Sequence, residues 1–217
     1  MMNPIQRFSI SGSDLKIPVR EVTKYLGYGK QIPVDDSLSL VNKAIDKVRE
    51  VSEGKGCYSV FEIKADTATG IVSFPYGETE SHILARHLDG CSEAYLIAVT
   101  IGAGFDRLLQ RTRRISMSET AVLQAAGAAA VEEVCNILNS KLEEETEKKG
   151  LHLRLRYSPG YGDFALENQR GLFRLLDPAK NAGITLMDTL IMAPEKSVTA
   201  VIGISESEGA GEYETDC

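Results

Sequence analysis

The stretch LHLRLRYSPGYGDF, residues 151–164, joins an alternating strand pattern to a turn rich in glycine and proline. Leucines alternate with polar residues over its first half, which predicts a strand with the leucines on one face. Pro159 fixes one backbone angle, and Gly160 and Gly162 permit conformations that other residues rarely adopt. A strand that ends at Arg156 and then breaks into such a turn can offer a guanidinium and free backbone amides to one ligand. The plainer alternative is a strand-to-helix turn with a surface arginine.

Strands and helices are predicted on both sides of this stretch, without a regular β-α-β repeat. Ala94–Ile101 is almost continuously apolar, which is typical of a buried strand, and Ser197–Ile204 alternates as a final strand. The late strands lie close enough along the chain to form hairpins. This pattern favours an α+β fold, a single domain with a mostly antiparallel twisted sheet flanked by helices, one of them long. We expect the domain to span residues 1–204 and the acidic residues 205–217 to form a disordered tail.

The helix predictions rest on spacing, capping residues and alanine content. The long helix is predicted from Met117 to about Lys149, with its start at Ser118, because its first half is rich in alanine. An earlier helix, capped by Asp36 or Ser37, has apolar residues at helical spacing and is closed by Gly54 and Gly56. The other predicted elements are a helix starting at Pro18, a hairpin of Cys57–Lys64 with Ile71–Phe74, and helices over Glu78–Leu88, Phe105–Arg113 and Glu167–Leu176.

Composition and charge argue against several classes of function. The formal charge of −7 argues against a nucleic-acid or anionic-membrane partner, since both demand a basic surface. No stretch approaches the roughly 18 to 20 apolar residues that span a bilayer, and the N-terminus lacks a signal-peptide pattern, so a cytoplasmic location is expected. The cysteines form no C-x-x-C pair, and the spacing of His82 and His87 turns them to different faces of a helix. No metal site is predicted.

Two further sequence features are of a kind that can carry chemistry. Gly102 and Gly104 lie between a strand and a helix, but the turn has neither a lysine-serine pair nor a complete G-x-G-x-x-G, so a nucleotide loop is not predicted. Glu132 and Glu133 lie where the small residues of the long helix give way to polar ones. Adjacent carboxylates on a helix point in different directions, so at most one faces a given pocket. On the local pattern alone, both are solvated.

Five short segments after the long helix carry a family resemblance. They are RYSPGY at 156–161, LLD at 175–177, GITLMDTL at 183–190, and MAP at 192–194 followed by SVT at 197–199. They resemble the activation domain of cobalamin-dependent methionine synthase, in which R-x-x-P-G-Y precedes a leucine-rich short helix, a glycine-led strand and a small S-V-[ST] strand. The first half fits loosely, through VTKYLGY at 22–28. The modules for homocysteine, folate and cobalamin have no counterpart, so the chain resembles a free-standing activation protein.

The resemblance implies that the chain binds S-adenosylmethionine and acts with a partner methionine synthase that holds the cobalamin. In that family, a one-electron donor such as flavodoxin reduces accidentally formed cob(II)alamin. Methyl transfer from S-adenosylmethionine then traps the product as methylcobalamin. The chain would be a component of that methyltransferase, inactive alone, with no catalytic residue and no metal of its own.

The resemblance also implies a binding site made of Glu132, Arg156, Ser158, Gly160 and Tyr161. Arg156 suits the ligand carboxylate because its planar fork can bind both oxygens, and Glu132 would pair with the ammonium. Backbone groups at Ser158 and Gly160 would approach the ligand. Tyr161 would supply an aromatic wall and a hydroxyl.

The chain departs from the family pattern in two places. The segment 162–168 replaces one that bears proline and cysteine and ends in aspartate-histidine. Ile202 stands near the position of a family tyrosine and cannot donate a hydrogen bond. Asp35 and Asp36 are the candidates for an N-terminal aspartate that binds the ligand.

Two other functions are compatible with the sequence. The first is a docking protein for another corrinoid methyltransferase, without a methylation role of its own. The second is an independent enzyme with Asp163 or Glu167 as a base, which rests only on the proximity of these residues to the turn.

Overall fold

The structure, a computed structural model, describes residues 4–29 and 35–207. Its strands are β1 (Gln6–Ser11), β2 (Glu53–Glu62), β3 (Lys64–Asp66), β4 (Ile71–Phe74), β5 (Gly77–Glu80), β6 (Glu93–Thr100), β7 (His152–Leu153), β8 (Thr185–Leu186), β9 (Met192–Ala193) and β10 (Ser197–Ser205). Its α-helices are α1 (Val19–Tyr25), α2 (Asp35–Val51), α3 (His82–His87), α4 (Ala103–Arg113), α5 (Met117–Glu147), α6 (Gln169–Leu176) and α7 (Pro178–Ala182). Short 3-10 helices cover Gly12–Asp14 and Leu166–Asn168.

The main sheet is antiparallel and has the strand order β1-β2-β6-β10-β7. Strand β6 lies at its centre because its continuous apolar run is buried on both faces. Strand β10 pairs with β6 from Ser197 opposite Thr100 to Ile204 opposite Glu93. The predicted α+β class, with one domain, an antiparallel sheet and one long helix, is confirmed.

Helices cover both faces of this sheet. On the first face, α1, α2, α4 and α5 pack against alternate strand residues such as Ile97 and Ile202. On the second face, α3, α6, α7 and a small sheet of β3, β4 and β5 pack against Leu96 and Val201. The period of two along β6 and β10 therefore divides the core into two layers.

Helix α5 is the longest element of the described chain. The Ser116 hydroxyl accepts a hydrogen bond from the Glu119 amide at 3.2 Å, so the cap lies two residues before the predicted start at Ser118. Gly127 faces Phe105 of α4, and a Cβ at this glycine would lie 2.4 Å from the ring. By length and composition α5 could cross a membrane, but 61% of its most apolar window is buried in the protein, as in a core helix.

The predicted end of α2 was wrong. The helix ends at Val51, and both Gly54 and Gly56 lie inside β2. A Cβ at Gly54 would lie 2.6 Å from the Ile10 side chain, and one at Gly56 would lie 2.8 Å from Val99. These glycines are therefore explained by close packing within the sheet and not by a helix stop.

The hairpin and the following helix also differ from the prediction. Strand β4 pairs with β3, whereas β2 pairs with β1 and β6 in the main sheet, so of the predicted first strand Cys57–Lys64 only Lys64 belongs to the hairpin. The residues 78–80, predicted as helix, form part of β5. The helix starts only at His82, because the Ser81 hydroxyl accepts a hydrogen bond from the Leu84 amide at 3.0 Å and caps it.

The last strand continues one residue beyond its predicted end, to the buried Ser205. Most of the tail predicted over 205–217 lies outside the described residues.

Candidate functional site

Strand β7 is followed by an extra residue just before the turn. Arg154 N–H donates to the Gly203 carbonyl, and Tyr157 N–H donates to the Val201 carbonyl. The chain thus advances three residues while β10 advances two, which is a β-bulge at Leu155 and Arg156. The extra residue reverses the side of the sheet to which the next side chains point, so Arg154 points to the second face and Arg156 to α5 on the first.

On the first face, Arg156 meets two residues of α5. Its Nη2 lies 3.1 Å from Glu132 Oε2 and donates to Asn136 Oδ1 at 3.0 Å. Glu132 and Asn136 are four residues apart, so they lie on one face of the helix. Among the described residues, neither Nε nor Nη1 of Arg156 has a partner. The Nε and Nη1 hydrogens, which point to different sides of the guanidinium, are therefore available to a ligand anion.

A cavity of about 670 Å³ opens beside this ion pair. Its walls come from α5, the turn after β7, the start of α6, and the beginning of β10. The lining residues are Glu132, Asn136, Asn139, Leu155, Arg156, Tyr157, Ser158, Pro159, Tyr161, Gln169, Met192, Ser197, Val198 and Thr199. A volume of this size is in the range of small-molecule sites.

Four of the five residues predicted for the site line this one cavity: Glu132, Arg156, Ser158 and Tyr161. Tyr161 is 58% exposed and lies at the rim. Gly160 does not line the cavity, and its N–H donates to the Phe164 carbonyl at 2.7 Å. The expectation of a free amide there was wrong, because the turn closes on itself. Gly160 has a φ of 96°, so the glycine serves the backbone of the turn.

The segment that departs from the family pattern is used to hold the fold together. Asp163 accepts a hydrogen bond from the Ser81 hydroxyl and, at 3.2 Å, one from the Ile83 amide, at the start of α3. Burial alone would raise the pKa of Asp163, but these hydrogen bonds hold it below its usual value. Asn168 bonds to the Tyr76 hydroxyl and to Thr79. A carboxylate held ionised as a helix cap is a poor general base, which argues against a catalytic role for Asp163.

Other predicted positions lie elsewhere. Ile202 is fully buried against the first-face helices and does not reach the cavity. Asp36 is exposed, and the side chain of Asp35 lies outside the described residues. In the described chain no group of histidine, cysteine and carboxylate residues could hold a metal ion.

Several residues near the ligand space were missed by sequence reasoning. Asn136, Asn139, Gln169 and Thr199 line the cavity, and none of them stands out in the sequence. Tyr25 of α1 lies nearby: burial, and then the carboxylate of Glu132, raise the pKa of its phenol. The only available signal for Asn136 and Asn139 was their helical spacing from Glu132.

A larger depression of about 840 Å³ lies between β5, α6 and β8. Its two arginines are tied to main-chain carbonyls, Arg170 to Asp188 at 2.9 Å and Arg174 to Tyr76 at 3.3 Å. None of the buried polar atoms without a partner in the described chain lines this depression. The Arg156 cavity is therefore the better candidate site despite its smaller volume.

His87 supports the bulge from behind. Its Nε2 lies 2.7 Å from the Leu155 carbonyl, and its ring lies 5.3 Å from that of Tyr157. Nε2 therefore carries the hydrogen and donates. Burial, offset in part by this hydrogen bond, lowers the pKa of His87. The unfolded chain then binds more protons than the folded one below the ordinary histidine pKa of about 6.5.

We expect the free energy of unfolding to fall as the pH is lowered from about 6.5. The slope of this free energy against pH should correspond to an uptake of less than one proton by His87 on unfolding. Urea unfolding between pH 7.5 and 5 measures the effect. His87→Gln keeps a donor but cannot titrate, so its slope should be shallower. The matched change at the exposed His82 should leave the wild-type slope intact. Equal slopes for wild type and His87→Gln would contradict the prediction.

Comparison with known proteins gives matches in structure but none in sequence. No family model and no curated protein matches this sequence. Solved structures do match this chain in fold. One of them is the MetH reactivation domain bound to AdoHcy, with a TM-score of 0.72 over 98% of this chain and 81% of that chain, at 14% sequence identity. The likeness confirms the fold that the sequence resemblance implied.

Proposed function

We propose that this protein is an S-adenosylmethionine-binding reactivation module for a cobalamin-dependent methionine synthase on a partner chain. The observation that supports the proposal is the Arg156–Glu132 pair at the wall of a cavity. That pair lies in a chain whose fold is shared with a reactivation domain bound to AdoHcy.

The pair suits the amino-acid end of such a ligand. The side chains of Arg156 and Glu132 are 23% and 45% exposed, so a ligand can reach both. The ligand carboxylate would accept a charge-assisted hydrogen bond from the unused Nη1 of Arg156, and its ammonium would donate to Glu132 Oε1. Neither protein charge then loses its present partner. S-adenosylhomocysteine lacks only the transferable methyl group, so the same contacts would hold both molecules.

The contribution of this chain would be to bind and orient the methyl donor. Bound S-adenosylmethionine would supply a methyl group to the reduced cobalamin of the partner, after a one-electron donor such as flavodoxin has reduced it. Arg156 and Glu132 would fix the amino-acid end, and Tyr161 at the rim would shield one side from water. No residue of this chain need exchange a proton during the transfer, so the proposal includes no catalytic residue.

A reactivation assay tests the proposal. Methionine synthase that lacks its own reactivation domain, loaded with cob(II)alamin, is mixed with flavodoxin, reductant and S-adenosylmethionine. Methylcobalamin is followed by its absorbance. We expect methylcobalamin to accumulate only when this protein is added, and Arg156→Ala to supply much less activity than Arg154→Ala.

Two outcomes would contradict the proposal. Equal methylcobalamin formation with and without the protein would reject a reactivation role. Tight binding to a corrinoid protein without any S-adenosylmethionine affinity would favour the docking alternative.

The proposal also includes a cytoplasmic location, because Cys57, Cys91 and Cys135 are buried free thiols, as in a reducing compartment.

A further inference from the structure

Three polar atoms on the cavity wall are buried and have no partner within the described chain. They are Asn139 Oδ1, Gln169 Oε1 and Thr199 Oγ1. Gln169 is 6% exposed and Thr199 is 2% exposed. Buried polar groups in folded proteins are almost always hydrogen-bonded, so their convergence on one cavity indicates a ligand that completes them.

The edge of β10 is also open at this place. Val201 exchanges two hydrogen bonds with Tyr157, so its N–H and C=O point away from β6. Thr199 is two residues away on the same strand, and its backbone groups point in the same direction. The chain that would pair with them has turned off at Pro159, which has no N–H to donate. The backbone of Thr199 therefore faces the cavity together with its hydroxyl.

Gln169 and Thr199 lie on a different wall from the charged pair. Glu132 and Asn139 belong to α5, whereas Gln169 begins α6 and Thr199 shares with Val201 the sheet face that packs on α6. One wall offers opposite charges, and the other offers an uncharged amide, a hydroxyl and a strand edge. A ligand that satisfies both walls needs a zwitterionic end and an uncharged end rich in donors and acceptors.

We infer that Gln169 and Thr199 bind the nucleoside half of the ligand and set the specificity of the site for it. Ring nitrogens, an exocyclic amine and ribose hydroxyls are the groups that match an amide, a hydroxyl and an open strand edge. The inference rests on the proposed function for the identity of the ligand. It adds two residues and a division of the site into an amino-acid wall and a nucleoside wall.

The test uses Gln169→Met and Thr199→Val, which keep the side-chain shape and remove the polar atoms. Replacing an unsatisfied buried polar group by an apolar one of similar shape is nearly neutral or stabilising. We expect the Tm of the free variants to equal or exceed that of wild type. Affinity for S-adenosylhomocysteine, measured by calorimetry, should fall by about tenfold for each variant. Affinity for methionine, which has only the amino-acid half, should be unchanged in an NMR titration.

Thr100→Val is the matched control. Thr100 is 1% exposed in the neighbouring strand, and its hydroxyl donates to the Lys196 carbonyl at 3.0 Å and accepts from the Gly102 amide at 3.1 Å. Loss of the Thr100 hydroxyl should lower the Tm and leave the affinity for S-adenosylhomocysteine unchanged. The contrast between Thr199 and Thr100 separates a group kept for a ligand from one kept for the fold.

Several results would overturn the inference. Unchanged affinity for S-adenosylhomocysteine in both variants would remove the residues from the site. An equal loss for methionine would show that they do not address the nucleoside. A fall in Tm like that of Thr100→Val would give them a structural role. If wild type bound neither S-adenosylhomocysteine nor methionine, the proposed function and this class of ligand would both fail. The Tm values of the Gln169 and Thr199 variants would then decide whether these polar groups serve a ligand of another kind or the fold.

Discussion

Arg156→Ala is expected to weaken binding of S-adenosylmethionine by roughly 10- to 150-fold, the equivalent of about 1.5–3 kcal/mol for a hydrogen bond to a charged group. The reason is geometric. Arg156 keeps unused Nε and Nη1 donors beside Glu132, and alanine leaves the ligand carboxylate without a cation. The variant also leaves Glu132 without its ion pair, so repulsion of the carboxylate adds to the loss.

Isothermal titration calorimetry of wild type and variant measures this difference. Arg154→Ala is the control, since it removes the same kind of side chain two positions earlier in the chain. Arg154 donates to the Asp89 carbonyl at 3.1 Å and does not line the cavity, so ligand affinity should be retained. Equal affinities for wild type and Arg156→Ala would remove Arg156 from the site.

Gly127→Val is expected to destabilise the protein by about 2 kcal/mol or more. Overpacking a core usually costs ~1–3 kcal/mol, while removing a glycine from a helix regains less than ~1 kcal/mol. Here the first added carbon would lie 2.4 Å from the ring of Phe105, which is fully buried. The contact lies where α4 crosses α5, so the two helices must separate.

Thermal unfolding should show a Tm lower by about 4–8 °C for a chain of this length. Ala128→Val is the matched control on the next residue of α5, which is only partly buried. It adds a β-branched side chain at a small cost in helix propensity and should change the Tm by much less. A Tm for Gly127→Val equal to that of Ala128→Val would contradict the packing argument.

The parts of the fold that the sequence predicts well have strong local signals. Strand β6 is an unbroken apolar run, and α5 is a long alanine-rich segment, so neither needs tertiary information. Gly54 and Gly56 show the opposite case. A glycine that ends a helix and one that admits a neighbouring side chain look the same in a sequence, because the reason lies in Ile10 and Val99, far along the chain.

Some residues of the candidate site were likewise predicted from the sequence, and others were not. Arg156 and Glu132 were linked through the family resemblance, and the structure brings them within 3.1 Å. Gln169 and Thr199 were not predicted, since a polar residue that is buried without a partner has the same letter as one on the surface. Alternation over residues 151–156 predicted a regular strand, and it could not reveal the bulge, which depends on the register with β10.

The bulge has a consequence for how such sites can be recognised. The direction of Arg156 is determined by the number of residues between the pairing at Gly203 and the pairing at Val201, and not by which residues they are. Two chains can thus share every letter of R-Y-S-P-G-Y and yet direct the arginine to opposite sides of the sheet. Residue counting against the partner strand is therefore needed before a motif of this kind is taken as evidence of a site.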